Sequence, residues 1–191
     1  MKTYLIIVLA IMLSYTALAQ EAPQPTEIIL KEAYAKAAKE NKKVLLIFHA
    51  SWCSWCRKME ASISDPACSK LFDDNYVIAY LDVLEHADKK TLENPGSDEL
   101  LKKFDDKNSS LPFFIILDAN GSPLTDSNVR ENGKLADPTG DNNLGCPAME
   151  KEVNYFAQML RSTSKLSEND LAIIKARFRK NETVKTTTGT N

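Results

Sequence analysis

The sequence predicts an α/β fold in which a central sheet is covered by helices on both faces. Two observations predict it. Three largely apolar runs, VLLIF at 44–48, YVIAYLDV at 76–83 and LPFFIIL at 111–117, lack the polar alternation of a strand with one wet face. The segments before, between and after them place apolar residues at helical spacing, so strands and helices alternate along the chain. At 191 residues the chain fits one domain with a substantial buried core.

The elements follow in order. After a polar, proline-containing leader at 20–25, Thr26 is placed to cap a helix that runs to about Asn41, with Ile29, Leu30, Ala33, Ala37 and Ala38 on one side. The run at 44–48 is the first strand, bounded by Lys42-Lys43 and by a Ser-Trp-Cys turn. A helix begins at Cys53 or just after it. Pro66 restarts or kinks it near Ser64 and Asp65, where Asp65 is a candidate cap, and Cys68 falls on the continuation. The second strand follows, then a charged segment broken at Asn94-Pro95-Gly96, then a helix over 97–104 with Leu100, Leu101 and Phe104 inward. The third strand closes at Asp118-Ala119-Asn120-Gly121, a hairpin signal. Residues 125–145 are rich in Asp, Asn and Gly and read as a long loop. Pro147 suits the first turn of a helix reaching about Ser162, with Val153, Phe156, Ala157 and Leu160 as its stripe. A last helix runs from about Ser167 to Lys180, and the polar tail at 181–191 is expected to be disordered. The domain is therefore placed at 26–180.

Composition excludes some functions. Hydrophobic residues make up 43% and charged residues 26% of the chain, and the net charge is −2. Without a basic excess, or aromatics interleaved with basic runs, the chain is not read as a nucleic-acid binder. Lys2, the apolar run at 4–13 and the Ala17-Leu18-Ala19 site have the form of a secretory signal peptide at 1–19, cleaved after Ala19. The apolar run falls short of the ~20 residues a membrane span needs. The expectation is an exported, soluble protein, periplasmic or extracellular, and a monomer. All four cysteines survive cleavage and reach a compartment where disulfides persist.

Cys53-Ser54-Trp55-Cys56 carries the chemistry. A cysteine at a strand-to-helix junction has its thiolate stabilised by the unpaired N–H groups and the dipole of the helix N-terminus. Thiolate is the attacking species in disulfide exchange, so Cys53 is the candidate nucleophile. Cys56 lies about one turn on, in position to resolve a mixed disulfide, and Arg57 and Lys58 add positive charge. A purely structural disulfide is poorly suited to this junction. A structural zinc site needs four ligands, but Cys68 and Cys146 are isolated and the histidines are His49 and His86. Haem attachment needs a histidine where Arg57 stands. No metal and no cofactor is expected.

The stretch VLLIFHASWCSWCRKME at 44–60 resembles the active-site strand, loop and helix of thioredoxins. The W-C-x-W-C form is most similar to exported bacterial thioredoxin-like proteins. On motif order the resemblance extends over roughly 27–160. It implies a thioredoxin-like three-layer sandwich with a central mixed sheet and an extra C-terminal helix. It also implies a redox disulfide between Cys53 and Cys56, and a cis proline facing them at Pro112, with Leu111 contacting the substrate backbone. Trp52 and Trp55 are then candidate substrate-landing surfaces. An ordinary trans proline opening an edge strand is the other reading of Pro112.

The sequence also departs from that family. Thioredoxins bury an aspartate in the first strand that helps move the resolving proton, whereas Ile47 stands at the corresponding place, six residues before Cys53. His49 is the nearest titratable side chain in sequence. It either modulates the Cys53 thiol as an imidazolium or is a half-buried histidine with no catalytic part. Ser54-Trp55 replaces the Gly-Pro dipeptide of reducing thioredoxins, which leaves the direction of transfer open. Cys68 and Cys146 read more readily as two separate buried thiols than as a second bridge.

Taken together, these features predict a thiol–disulfide oxidoreductase acting outside the cytoplasm on exported proteins that carry thiols or disulfides. A reducing role requires a membrane-borne electron donor, since the chain has no nicotinamide or flavin motif. The competing reading is a non-catalytic binding module that presents Trp55 and Pro112 to a partner.

Overall fold

The computed structural model describes residues 22–105, 110–129 and 143–182. The expected signal peptide, the start of the leader, most of the long loop and the tail beyond 182 lie outside the described residues. The elements are α1 (Thr26–Glu40), β1 (Lys43–His49), α2 (Ser54–Ile63), α3 (Ser69–Asn75), β2 (Tyr76–Asp82), α4 (Ser97–Phe104), β3 (Phe113–Leu117), β4 (Pro123–Asp126), α5 (Glu150–Thr163) and α6 (Glu168–Arg179). A 3-10 helix spans Ala87–Leu92.

The four strands form one mixed sheet in the order β2-β1-β3-β4. β1 pairs parallel with β2 and antiparallel with β3, and β3 pairs antiparallel with β4. The unbroken apolar runs are explained by the two faces. From β1, Leu45 and Ile47 enter one core with Phe114 and Ile116, while Val44, Leu46 and Phe48 enter the other with Phe113, Ile115 and Leu117. Side chains alternate across a strand, so a sheet covered on both faces has no polar position in its middle strands. Ala33 and Ala37 of α1 and Leu101 of α4 cover the second face. Residues of α2, α3, α5 and α6 cover the first. Here Phe72, Phe114, Phe156 and Phe178 form a ring cluster with centroid separations of 5.0–6.4 Å.

Several element boundaries differ from the expected ones. Thr26 is not the cap of α1 but its first helical residue, and Pro25 occupies the cap without a side-chain bond. The entry is held instead by the backbone, Thr26 N–H donating to Pro95 O at 2.9 Å. Asp65 does cap a turn, accepting from Ala67 N–H at 3.0 Å, but α2 has already ended at Ile63 and α3 begins anew at Ser69. Cys68 is the residue before α3. The segment 125–145 is not loop throughout. Thr125 and Asp126 belong to β4, and Ser127 exchanges hydrogen bonds with the Phe114 backbone. An edge strand is joined through its backbone, so polar side chains do not prevent pairing.

Helix α5 starts at Glu150, three residues after Pro147. The carboxylate of Glu152 accepts from Ala148 and Met149 N–H, each at 2.9 Å, and this fixes the start. Pro147 lies instead in the segment that leads into the helix, between the buried Cys146 and Ala148. Asn181, assigned to the tail by its polar neighbours, is buried and closes the C-terminal end of α6.

Candidate active site

β1 ends at His49 and α2 starts at Ser54, so residues 50–53 turn from sheet to helix. Cys53 is the N-cap of α2. It forms a disulfide with Cys56, with S–S 2.08 Å and Cα–Cα 5.3 Å. Cys56 N–H also donates to Cys53 Sγ at 3.0 Å. This is the orphan-donor geometry that favours a thiolate once the bond is reduced. Both cysteines are buried, packed with Ala50 and with Leu111 from the segment before β3. The Leu111–Pro112 peptide is cis. Sequence positions 53, 56 and 111 are thus brought together from two separate segments.

The two tryptophans stand outside this buried centre, Trp52 42% and Trp55 39% exposed. Each is braced on one side. Trp52 Nε1–H donates to Leu84 O at 2.8 Å, and its ring lies 5.6 Å from that of His86. Lys58 Nζ sits 4.0 Å from the Trp55 ring centroid, a cation–π contact, and also donates to Asn181 O at 3.1 Å. The C-terminal end of the domain is thereby tied to the redox helix. Arg57 donates to Ser51 O at 2.9 Å, and the buried Glu85 carboxylate accepts from both Ser51 N–H and Ser51 Oγ–H. The turn ahead of Cys53 is held from both sides.

His49 does not stand alone. Its Nδ1 is 2.7 Å from Glu60 Oε1, and its Nε2 is 3.3 Å from Asp82 Oδ1. The Tyr80 ring tilts against the imidazole at 5.3 Å. Burial raises the Asp82 carboxyl above its ordinary value. His49 opposes that rise, while the charges of Glu85 and Glu60 add to it. The Tyr80 hydroxyl is pushed up to about 12 by burial and by Glu60.

Cys68 and Cys146 are free thiols, both buried in the first core. Burial pushes the Cys146 thiol up to about 12 and raises that of Cys68. Among the described residues, no group of three or more His, Cys, Asp or Glu is arranged to hold a metal ion.

Sequence reasoning missed Glu60, Asp82 and Glu85. Glu60 was accessible, because it follows Cys56 by one helical turn. Asp82 needed the β1–β2 register, in which it pairs with His49. Glu85 sits in a charged segment that gave no signal.

A mixed sheet covered on both faces, with an N-capping Cys-x-x-Cys disulfide beside a cis-proline segment, defines a protein of the thioredoxin-fold thiol–disulfide oxidoreductase class. A family model described as thioredoxin-like matches residues 26–119. Among solved structures, the chain is similar to a disulphide isomerase from Xylella fastidiosa Temecula1, at 20% identity and TM-score 0.46. That match covers 76% of this chain and 95% of the other. A thioredoxin from Thermus thermophilus matches at 19% identity and TM-score 0.43, covering 74% and 85%. The C-terminal domain of DsbD from Neisseria meningitidis, in the oxidised form, matches at 26% identity and TM-score 0.37, covering 54% and 85%. No curated protein matches significantly.

Proposed function

We propose that the protein exchanges thiols and disulfides with exported protein substrates outside the cytoplasm, through Cys53 as nucleophile and Cys56 as resolving thiol. The observation that carries this reading is the Cys56 N–H bond to Cys53 Sγ at the start of α2. It gives the attacking sulfur a charge-stabilising donor and leaves the second cysteine adjacent for resolution. In the reducing direction the Cys53 thiolate attacks a substrate disulfide, one substrate sulfur leaves as a thiolate, and Cys56 then displaces the other from the mixed disulfide. In the oxidising direction a substrate thiolate attacks Cys53 Sγ, Cys56 leaves as a thiolate, and a second substrate thiol displaces Cys53.

Leu111 packs against the pair, and Trp52 and Trp55, adjacent to the cysteines in sequence, are exposed. These three are the apolar contact area for substrate, with the Leu111–Pro112 segment meeting the substrate backbone. Export rests on the signal-peptide pattern at 1–19, and no described helix is long and apolar enough to cross a membrane. In a reducing role the partner that restores Cys53 and Cys56 is a membrane-borne electron donor.

The test is dithiothreitol-driven reduction of insulin by the mature protein. Wild type is expected to accelerate it and Cys53→Ser to abolish the acceleration. Equal rates for the two proteins would overturn the enzymatic reading. Cys56→Ser is expected to accumulate mixed disulfides with exported proteins in cells, and mass mapping of the purified protein is expected to place its N-terminus at Gln20.

A further inference from the structure

Ile47 leaves the first strand without an acid to handle the resolving proton, yet three titratable side chains gather beside the redox helix. Glu60 follows Cys56 by four residues on α2, so the two share one helix face. His49, the last residue of β1, contacts Glu60 at 2.7 Å through Nδ1. Its other nitrogen faces Asp82, its register partner on β2, at 3.3 Å. Two lone pairs repel at 2.7 Å, so this geometry requires a proton between imidazole and carboxylate, and Nδ1–H donating to Glu60 satisfies it.

The other charged neighbours are engaged elsewhere. Arg57 is bound to Ser51 O, Lys58 to Trp55 and Asn181 O, and Glu85 to Ser51. Tyr80 packs on the ring from β2 and stays neutral at physiological pH. The imidazole is only 19% exposed and is gripped by carboxylates from two different elements. This is the arrangement of an oriented group rather than of a surface histidine.

We propose that Glu60 is the base that serves Cys56, and that His49 is the positioning residue that aims Glu60 through its Nδ1–H, with Asp82 holding the far side of the ring. The proposal rests on the oxidoreductase reading above. In the resolving step the Cys56 S–H bond breaks and its proton passes to a Glu60 carboxylate oxygen, directly or through one water. The Cys56 sulfur then attacks Cys53 Sγ. The Cys53–Cys56 bond forms, and the bond from Cys53 to the substrate sulfur breaks. The electron pair leaves on the substrate sulfur, which departs as a thiolate and takes a proton back from Glu60 or solvent. Two protein sulfurs are oxidised and one substrate disulfide is reduced.

The experiment is stopped-flow reaction of the reduced mature protein with 5,5′-dithiobis(2-nitrobenzoate), followed by thionitrobenzoate absorbance. The first release reports attack by Cys53 and the second reports resolution by Cys56. Glu60→Gln is expected to keep the first release and slow the second about a hundredfold near neutral pH, within the range of general-base effects. Its second release should then rise with pH and converge on wild type as Cys56 ionises unaided, which a merely structural role would not produce. His49→Gln is expected to slow the same step about tenfold, with the same recovery at high pH. A second release in these variants equal to wild type at every pH would overturn the proposal. If Glu60→Gln does not fold, His49→Gln and Asp82→Asn decide it. Absence of both releases in wild type would instead overturn the oxidoreductase reading.

Discussion

Cys56 N–H donates to Cys53 Sγ at 3.0 Å across the first turn of α2, and among the described residues no equivalent backbone donor serves Cys56 Sγ. The two sulfurs of the pair therefore differ in role before any substrate arrives. In the reduced protein the donor and the helix N-terminus favour charge on Cys53. Iodoacetamide is expected to alkylate Cys53 first. Peptide mapping of the alkylated protein across pH checks this, and preferential modification of Cys56 would contradict it.

Trp55 projects beside the pair with Lys58 over its ring. Trp55→Ala is expected to lower kcat/KM for a protein disulfide about tenfold, the size of a typical aromatic interface contact. The rate with a small disulfide should change little, because that substrate does not reach the ring. Parallel kinetics on insulin and on a glutathione mixed disulfide separate the two.

Phe178 ties α6 to Phe72 and Phe156 in the core behind the redox helix, with ring separations of 6.3 and 5.0 Å. Its loss leaves a large cavity. Phe178→Ala is expected to reduce unfolding free energy by about 3–5 kcal/mol in urea titration. Removal of the chain from Phe178 onward is expected also to weaken the brace on Trp55, since Lys58 then loses Asn181 O.

Burial keeps the Cys146 thiol protonated to about 12 in the native state, against an ordinary value of 9.0. Between those values the unfolded chain releases a proton that the folded chain retains. Stability contributed by the neutral thiol is then present below the ordinary value and is lost as pH rises above it, at up to about 1.4 kcal/mol per pH unit. Urea titrations at alkaline pH are expected to show a shallower decline for Cys146→Ala than for wild type.

The fold was largely legible because its informative residues act locally or through periodicity. The runs around Leu46, Ala79 and Ile115 announce strands buried on both faces, and Cys53 announces a helix start. What escaped depends on tertiary register or on backbone pairing. Asp126 and Ser127 look like loop residues, yet they join the sheet through main-chain bonds and a hydroxyl, which no side-chain pattern signals. The start of α5 moved from Pro147 to Glu150 because the Glu152 carboxylate fixes it. At the site, Cys53 and Cys56 form a disulfide and the Leu111–Pro112 peptide is cis. The sequence places His49 near Cys53, but its partners are Glu60 and Asp82, which only the packing of α2 and β2 against β1 reveals.

The most direct measurement of the central claim is equilibration of the mature protein in glutathione buffers, with the Cys53–Cys56 redox state quantified by alkylation and mass spectrometry. A reversible two-electron titration is expected, with a midpoint between about −120 and −270 mV, the span of disulfide-exchange proteins. A pair that stays oxidised until below about −300 mV, as a structural disulfide does, would contradict the account.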